Sequence, residues 1–163
     1  MKKHILIGTA ALLSLFAFQS KTHAQALGHE YKTGIGIKAG YLGSGAIDIK
    51  HFLKPTSAIE GLFSFSRDWF MFTGLYEYHG NISGAPGLKW YVGPGAHLGF
   101  HSNHYKNHHH DSDEIFGGID GVLGLDYKFN KAPISISLDV QPALNFPNTT
   151  FNVWGGLGIR FTL

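Results

Sequence analysis

The stretch FNVWGGLGIRFTL, residues 151–163, decides the fold class. Every second residue from Phe151 to Leu163 is apolar or glycine, whereas the intervening positions include Asn152, Arg160 and Thr162. A period of two over this length indicates a β-strand with two different faces. A tilted transmembrane strand needs about 9–11 residues and an uncharged row toward lipid, and Arg160 lies on the other row. The stretch therefore predicts a membrane-spanning strand.

The same two-residue period recurs along the chain. Turn-forming residues separate the periodic segments, for example at 54–57 and 66–68. The predicted strands are residues 33–41, 46–53, 59–65, 70–78, 88–100, 115–129, 134–142 and 151–163. Because backbone groups in lipid must all be hydrogen-bonded, the pattern predicts an all-β, closed, up-and-down, eight-stranded antiparallel transmembrane barrel. Pro94 lacks a ladder donor and is expected at a bulge or bend.

The charges of the predicted strands all lie on the polar rows. A soluble barrel of the lipocalin type would turn these rows outward, but here they are rich in glycine and serine, which suit a narrow lumen better. We therefore predict a charge network in the lumen, formed by Lys38, Asp48, Lys50, Glu60, Glu77, Lys89, Asp120, Asp126, Lys128, Asp139 and Arg160. Such charges must pair, so the network predicts a salt-bridged plug. A gated ion path or an acid/base pair are the alternatives.

The interior of an eight-stranded barrel is just filled by side chains, so a stable open channel is not expected. Gly124 lies on the polar row of the sixth predicted strand. Its replacement by serine should be milder than arginine at the lipid-facing positions Leu123 or Leu157, if the lumen accommodates the hydroxyl group.

The N-terminal segment has the features of an export signal. Lys2 and Lys3 precede an apolar run at 5–18, and small residues end at Ala24 and Ala26. The segment predicts a signal peptide over residues 1–26 and a barrel over 27–163. Without residues 1–26 the 13 Lys and Arg become 10 against 11 Asp and Glu, so no basic stripe remains for nucleic acid. The absence of cysteine fits an exported chain without disulfides.

Aromatic residues of the apolar rows fall near the two ends of the predicted strands. With both termini in the periplasm, one girdle contains Tyr76, Tyr78, Trp90, Tyr127, Phe129 and Phe161, and the outer girdle contains Tyr41, Phe65, Phe70, Phe100 and Phe151. The same parity predicts that the polar loop at 105–114 is extracellular, where long loops of such barrels lie.

Three segments, 74–78 (GLYEY), 88–100 (LKWYVGPGAHLGF) and 156–161 (GLGIRF), resemble the small outer-membrane β-barrels common in Bacteroidetes. That family is similar in architecture to OmpX and the OmpA membrane domain. The resemblance implies an outer-membrane location, a structural or surface-interaction role without catalysis or cofactor, and contacts with outer-membrane lipids. It also implies recognition by the barrel-assembly machinery, although Leu163 stands where such barrels usually end in an aromatic residue.

One loop is rich in histidine. His101, His104, His108, His109 and His110 lie beside Asp111, Asp113 and Glu114. Neutral imidazole binds Zn, Cu or Ni, and carboxylates can complete such a site, so the loop is a candidate metal site. The spacing lacks the regularity of a structural zinc motif, and a solvated polar loop is the alternative.

Some eight-stranded barrels modify the acyl chains of lipid A, which makes a lipid A-modifying enzyme a further alternative. A hydrolase needs a nucleophile, a base and an orienting acid within reach. His101 and Ser102 with a loop carboxylate are the local candidates, but adjacent residues of a strand point in opposite directions. The sequence therefore predicts that the chain is not an enzyme.

Overall fold

The computed structural model describes residues 31–41, 44–67, 69–101 and 114–163, with the backbone alone at Tyr41, Ser44, His101 and Glu114. These residues form eight strands in chain order, each antiparallel to its neighbours, in one closed barrel. The strands are β1 (Thr33–Tyr41), β2 (Ser44–Lys54), β3 (Ser57–Phe65), β4 (Trp69–Asn81), β5 (Leu88–His101), β6 (Glu114–Lys128), β7 (Ile134–Phe146) and β8 (Thr150–Thr162). The prediction of an eight-stranded, closed, antiparallel barrel is confirmed.

The first and last strands close the barrel. β1 pairs with β8 from Gly34 opposite Thr162 to Ala39 opposite Leu157, and with β2 on its other side. Beyond the ladder, the Leu163 amide donates to the Thr33 carbonyl at 2.8 Å. Closure leaves no strand with a row of unpaired backbone groups at this seam.

The two faces of the barrel wall differ sharply in polarity. Large apolar side chains point outward on all eight strands, and many remain about half exposed, such as Ile37 at 61%, Leu123 at 56% and Leu157 at 56%. The alternate residues point inward and are mostly polar, charged or small. Leu62, Met71 and other apolar residues add a small inward cluster. This distribution is the reverse of that of a water-soluble barrel.

Aromatic rings gather at both rims of the barrel. Phe63, Phe65, Phe70, Phe72 and Phe100 contact one another near the end of β3 and the start of β4, with ring centroids 4.6–6.5 Å apart. At the opposite rim, where β1 begins and β8 ends, Tyr78 contacts Trp90 and Tyr127 contacts Phe129.

The structure shows no bulge at Pro94, where the sequence predicts a bulge or a bend. Leu75 pairs with Gly95 and Tyr78 with Val92, so the register between β4 and β5 is the same on both sides of the proline. The backbone pairing between β4 and β5 is interrupted between these positions, but neither strand contains an extra residue. Pro94 instead keeps its place opposite Gly121 of β6.

No helix within the described ranges is long and apolar enough to cross a membrane. The predicted signal peptide, residues 1–26, lies outside the described residues.

Candidate functional site

A cluster of charged side chains fills the middle of the lumen. The two-residue period turns these residues inward because each lies on the row opposite the apolar one. All are buried, with at most 3% of the residue exposed. The ion cluster consists of Lys38 (β1), Asp48 and Lys50 (β2), Glu60 (β3), Glu77 (β4), Asp126 (β6), Asp139 (β7) and Arg160 (β8).

Glu60 is the centre of the ion cluster. Its Oε1 lies 2.5 Å from Lys38 Nζ, and its Oε2 lies 2.8 Å from Lys50 Nζ and 3.0 Å from Arg160 Nη2. One carboxylate of β3 therefore joins cations from β1, β2 and β8. Charge-assisted contacts of this length are the strong class of hydrogen bond, and here they link strands that are not all neighbours in the wall.

The other carboxylates surround these three cations. Asp139 lies 2.7 Å from Lys38, Asp48 lies 2.7 Å from Arg160 Nε, and Glu77 lies 2.8 Å from Lys50. Asp126 Oδ2 is more distant, at 3.7 Å from both Lys50 Nζ and Arg160 Nη1. Each cation thus contacts at least two carboxylates, which offsets the cost of taking it out of water.

Neutral polar residues extend the cluster, and the sequence analysis missed them. Tyr91 donates from its hydroxyl to Asp139 at 2.5 Å, and its ring lies 4.0 Å below Lys50 Nζ. His79 contacts Glu77 Oε2 at 2.8 Å through Nε2 and stacks on Tyr91. Gln141 donates to Asp139 at 3.3 Å. The signal that could have found them is their position on the inward row.

Asp120 lies elsewhere in the lumen and pairs with a histidine. His97 Nδ1 is 3.0 Å from both carboxylate oxygens of Asp120, and the imidazole packs edge-on against Trp154 at 5.4 Å. Both residues are buried. Among the described residues, His97 Nε2 has no hydrogen-bond partner, so this pair contains a base and an acid but no bonded nucleophile.

Lys89 and Lys128 make their contacts at one mouth of the barrel. Lys89 Nζ donates to the Pro55 carbonyl at 3.2 Å, and Lys128 Nζ donates to the carbonyls of Phe129 and Ala132 at 2.7 and 2.8 Å. Of the charges predicted to share the lumen, the structure therefore brings eight into the ion cluster. Asp120, Lys89 and Lys128 have different surroundings.

Tyr31 connects this mouth to the ion cluster. It precedes β1, and its hydroxyl donates to Asp126 Oδ2 at 2.8 Å. Burial and the adjacent carboxylate raise the pKa of the Tyr31 hydroxyl well above its ordinary value, so the group remains a donor. The contact holds the Asp126 carboxylate where the mouth of the barrel meets the ion cluster.

The structure does not describe the histidine-rich loop. The side chain of His101 and all of His104, His108, His109 and His110 lie outside the described residues, as does Ser102. The metal site therefore stays a prediction. Within the part of the chain that the structure describes, no group of three or more His, Cys, Asp or Glu residues could hold a metal ion.

The expectation for Gly124 changes with the packing around it. A Cβ at Gly124 would lie 2.5 Å from Tyr91 Cζ and 2.7 Å from Asp139 Cβ. Because Tyr91 is fully buried and held by several contacts, it has little room to move. The lumen therefore has no free space for a serine side chain here, and the condition for the milder effect is not met.

Fold and lumen together define a small, closed, eight-stranded antiparallel β-barrel with a charged interior. Among solved structures, the crystal structure of the N-terminal β-barrel domain of Pseudomonas aeruginosa OprF is similar, with a TM-score of 0.60 and 17% sequence identity. The match covers 82% of this chain and 100% of that chain. At this identity the likeness concerns the fold. No family model and no curated protein matches the sequence.

Proposed function

We propose that this chain is an outer-membrane β-barrel with a structural or surface-interaction role, without catalysis and without an open pore. The observation that carries the proposal is the polarity of the wall, with ion pairs inside and large apolar side chains outside. An apolar surface around the whole barrel far exceeds what a soluble monomer exposes, and a lipid bilayer is the solvent that suits it.

The ion cluster supports a closed lumen. Lys38, Lys50, Glu60 and Arg160 are each no more than 2% exposed, so bulk water scarcely reaches them from either mouth. An ion that crossed this level would have to separate several buried ion pairs at once, which costs several kcal/mol. The cluster thus acts as a plug that ties strands of opposite walls together.

The cellular context is part of the same proposal. The predicted signal peptide supports export, and the resemblance supports insertion by the barrel-assembly machinery and contact with outer-membrane lipids. The resemblance of segments 74–78, 88–100 and 156–161 supports placing the chain with the small barrels of the Bacteroidetes type, which are similar to OmpX. The likeness of its fold to the OprF barrel domain is compatible with this placement.

Single-channel recording in a planar bilayer tests the closed lumen. We expect no discrete conductance steps from the refolded barrel, whereas a general porin reconstituted in the same way gives steps. Reproducible steps that change in size in a Glu60→Gln variant would refute the plug, because they would place the conducting path at the ion cluster.

Two further experiments separate the proposed role from the alternatives. If the barrel acts at the cell surface, deletion of residues 105–114 should abolish partner binding while the barrel still assembles. A lipid A-modifying enzyme would instead change the lipid A mass spectrum on overexpression and lose that effect in Ser102→Ala. Unchanged lipid A with the barrel present in the membrane is the expected result.

A further inference from the structure

A pocket of about 630 Å³ opens at the mouth where β1 begins and β8 ends. Its walls come from the end of β2, the start of β5, the end of β6 and the 82–87 turn between β4 and β5. Pockets of roughly 300–1,000 Å³ that combine apolar walls with a few converging polar groups are the usual form of small-molecule sites.

The walls of this mouth pocket are preformed. The 82–87 turn is closed by hydrogen bonds from the Ala85 amide to the Ile82 carbonyl and from the Leu88 amide to the Ala85 carbonyl, at 3.2 and 3.1 Å. It is also fastened to β6, because the Lys128 amide donates to the Gly87 carbonyl at 2.9 Å. Gly87 adopts a φ of 84°, a conformation that glycine tolerates best.

Positive charge dominates the lining. Lys32, Lys54, Lys89 and Lys128 line the mouth pocket, and Asp126 is the one acidic residue among the described residues of its lining. That carboxylate already accepts the Tyr31 hydroxyl and lies near two cations of the ion cluster. The pocket therefore offers an excess of cationic donors to a ligand, and carbonyl contacts already position the ammonium groups of Lys89 and Lys128.

The remaining lining is apolar and indicates what else the ligand carries. Phe52 turns its ring into the pocket, with Lys89 Nζ 5.4 Å from the ring centroid, and Ile82, Pro86 and Leu88 contribute aliphatic surface. The cations of the lining are all lysines, which bind phosphate as point charges, whereas arginine is the residue that recognises planar carboxylates through two parallel hydrogen bonds.

We propose that the mouth pocket binds a phosphorylated amphiphile, with its phosphate against the lysines and its apolar part against Phe52 and the 82–87 turn. The phosphate group could belong to a membrane lipid or to a soluble phosphate compound, and both share this chemistry. The proposal does not depend on catalysis or on the histidine-rich loop.

Calorimetric titration of the full barrel in a neutral detergent tests the proposal. The probes are dihexanoylphosphatidic acid, dihexanoylphosphatidylcholine and inorganic phosphate. We expect saturable binding of the phosphatidic acid and at least tenfold weaker binding of the other two. Equal binding of the phosphatidylcholine would overturn the role of charge, and equal binding of inorganic phosphate would overturn the role of the apolar wall.

Variants locate the site. Lys54→Gln combined with Lys89→Gln should weaken the binding of phosphatidic acid at least tenfold. Lys32→Gln combined with Lys54→Gln is a second double variant, and it should fold normally because both residues are exposed. Lys131→Gln is the matched control, because Lys131 is exposed in the β6–β7 turn at the same rim but does not line the pocket. Unchanged affinity in both double variants, or the same loss in Lys131→Gln, would overturn the proposal.

Discussion

Arg160 Nη2 lies 3.0 Å from Glu60 Oε2 across the lumen, although the two residues are 100 positions apart and their strands, β8 and β3, are not neighbours in the wall. The contact joins opposite parts of the barrel through its interior. Backbone ladders hold each strand to the next, and this ion pair adds a link that no ladder provides. Glu60 should therefore contribute more to the stability of the barrel than any other single inward residue of the wall.

Replacement of Glu60 by glutamine tests this. The variant leaves Lys38, Lys50 and Arg160 without their shared carboxylate, and removing one partner of a buried ion pair typically costs about 3–5 kcal/mol. We expect a loss of that size in the free energy of unfolding, measured by urea titration in phospholipid vesicles. Lys131→Gln, an exposed turn substitution, should stay within about 0.5 kcal/mol of the parent. A loss below about 1 kcal/mol in the Glu60 variant would contradict the central role of this carboxylate.

Gly36 of β1 and Gly61 of β3 should respond differently to alanine. A Cβ at Gly36 would lie 1.9 Å from the Ile159 carbonyl oxygen, so Gly36→Ala must displace the β1–β8 seam. A Cβ at Gly61 meets no atom within 4 Å and points outward. We expect Gly36→Ala to prevent assembly or strongly destabilise the barrel, whereas Gly61→Ala should be neutral or stabilising by up to about 1 kcal/mol. The same urea titration, made on both variants, decides this, and similar stabilities would show that the seam is misplaced.

The outward face should reject charge in a depth-dependent way. Leu123 lies near the middle of β6 and is 56% exposed, whereas Leu53 lies at the end of β2 and is 53% exposed. In a bilayer, Leu123→Arg should cost about 2–4 kcal/mol and Leu53→Arg about 0–1 kcal/mol. Unfolding titrations of the two variants in vesicles measure the difference. Equal costs at both positions would argue that this face does not meet the hydrocarbon core.

We expect the histidine-rich loop to bind zinc weakly. His108, His109 and His110 lie next to carboxylates in the sequence, and imidazoles lose their metals when they protonate below about pH 6. Calorimetry should detect saturable zinc binding at pH 7.5 and none at pH 5.5. Alanine at these three positions should remove it, while His51→Ala, a change in β2, should not. Binding that survives the triple substitution would exclude the loop as the metal site.

The sequence predicts the wall of this barrel better than its interior. Alternation placed Lys38 and Glu60 on the inward row, because the side-chain period of a strand is two whatever its neighbours are. It could not predict that Lys38 contacts Asp139, 101 residues away, since that contact depends on the stagger of the strands around the whole barrel. The same parity predicts His97 and Tyr91 for the inward row, but neither belongs to the pattern of Lys, Arg, Asp and Glu from which the network is predicted.

The contacts of side chains near the strand ends are also hard to predict from the sequence. Lys89 and Lys128 have the inward parity of the ion cluster, yet they lie where the lumen opens and turn to backbone carbonyls of the turns. Parity fixes the face on which a side chain lies, whereas its height along the barrel axis decides which groups it can reach. Gly124 illustrates the same limit, because the ring that fills the space beside it belongs to Tyr91 of another strand.

The most direct test of an outer-membrane barrel is the migration of heated and unheated samples on a detergent gel after fractionation of the cell envelope. Closed barrels of this kind resist detergent until they are boiled, because every strand is paired on both sides. We expect to find the chain in the outer-membrane fraction, and we expect its unheated form to migrate differently from the heated form. A chain recovered in the soluble periplasmic fraction, with one mobility before and after heating, would contradict it.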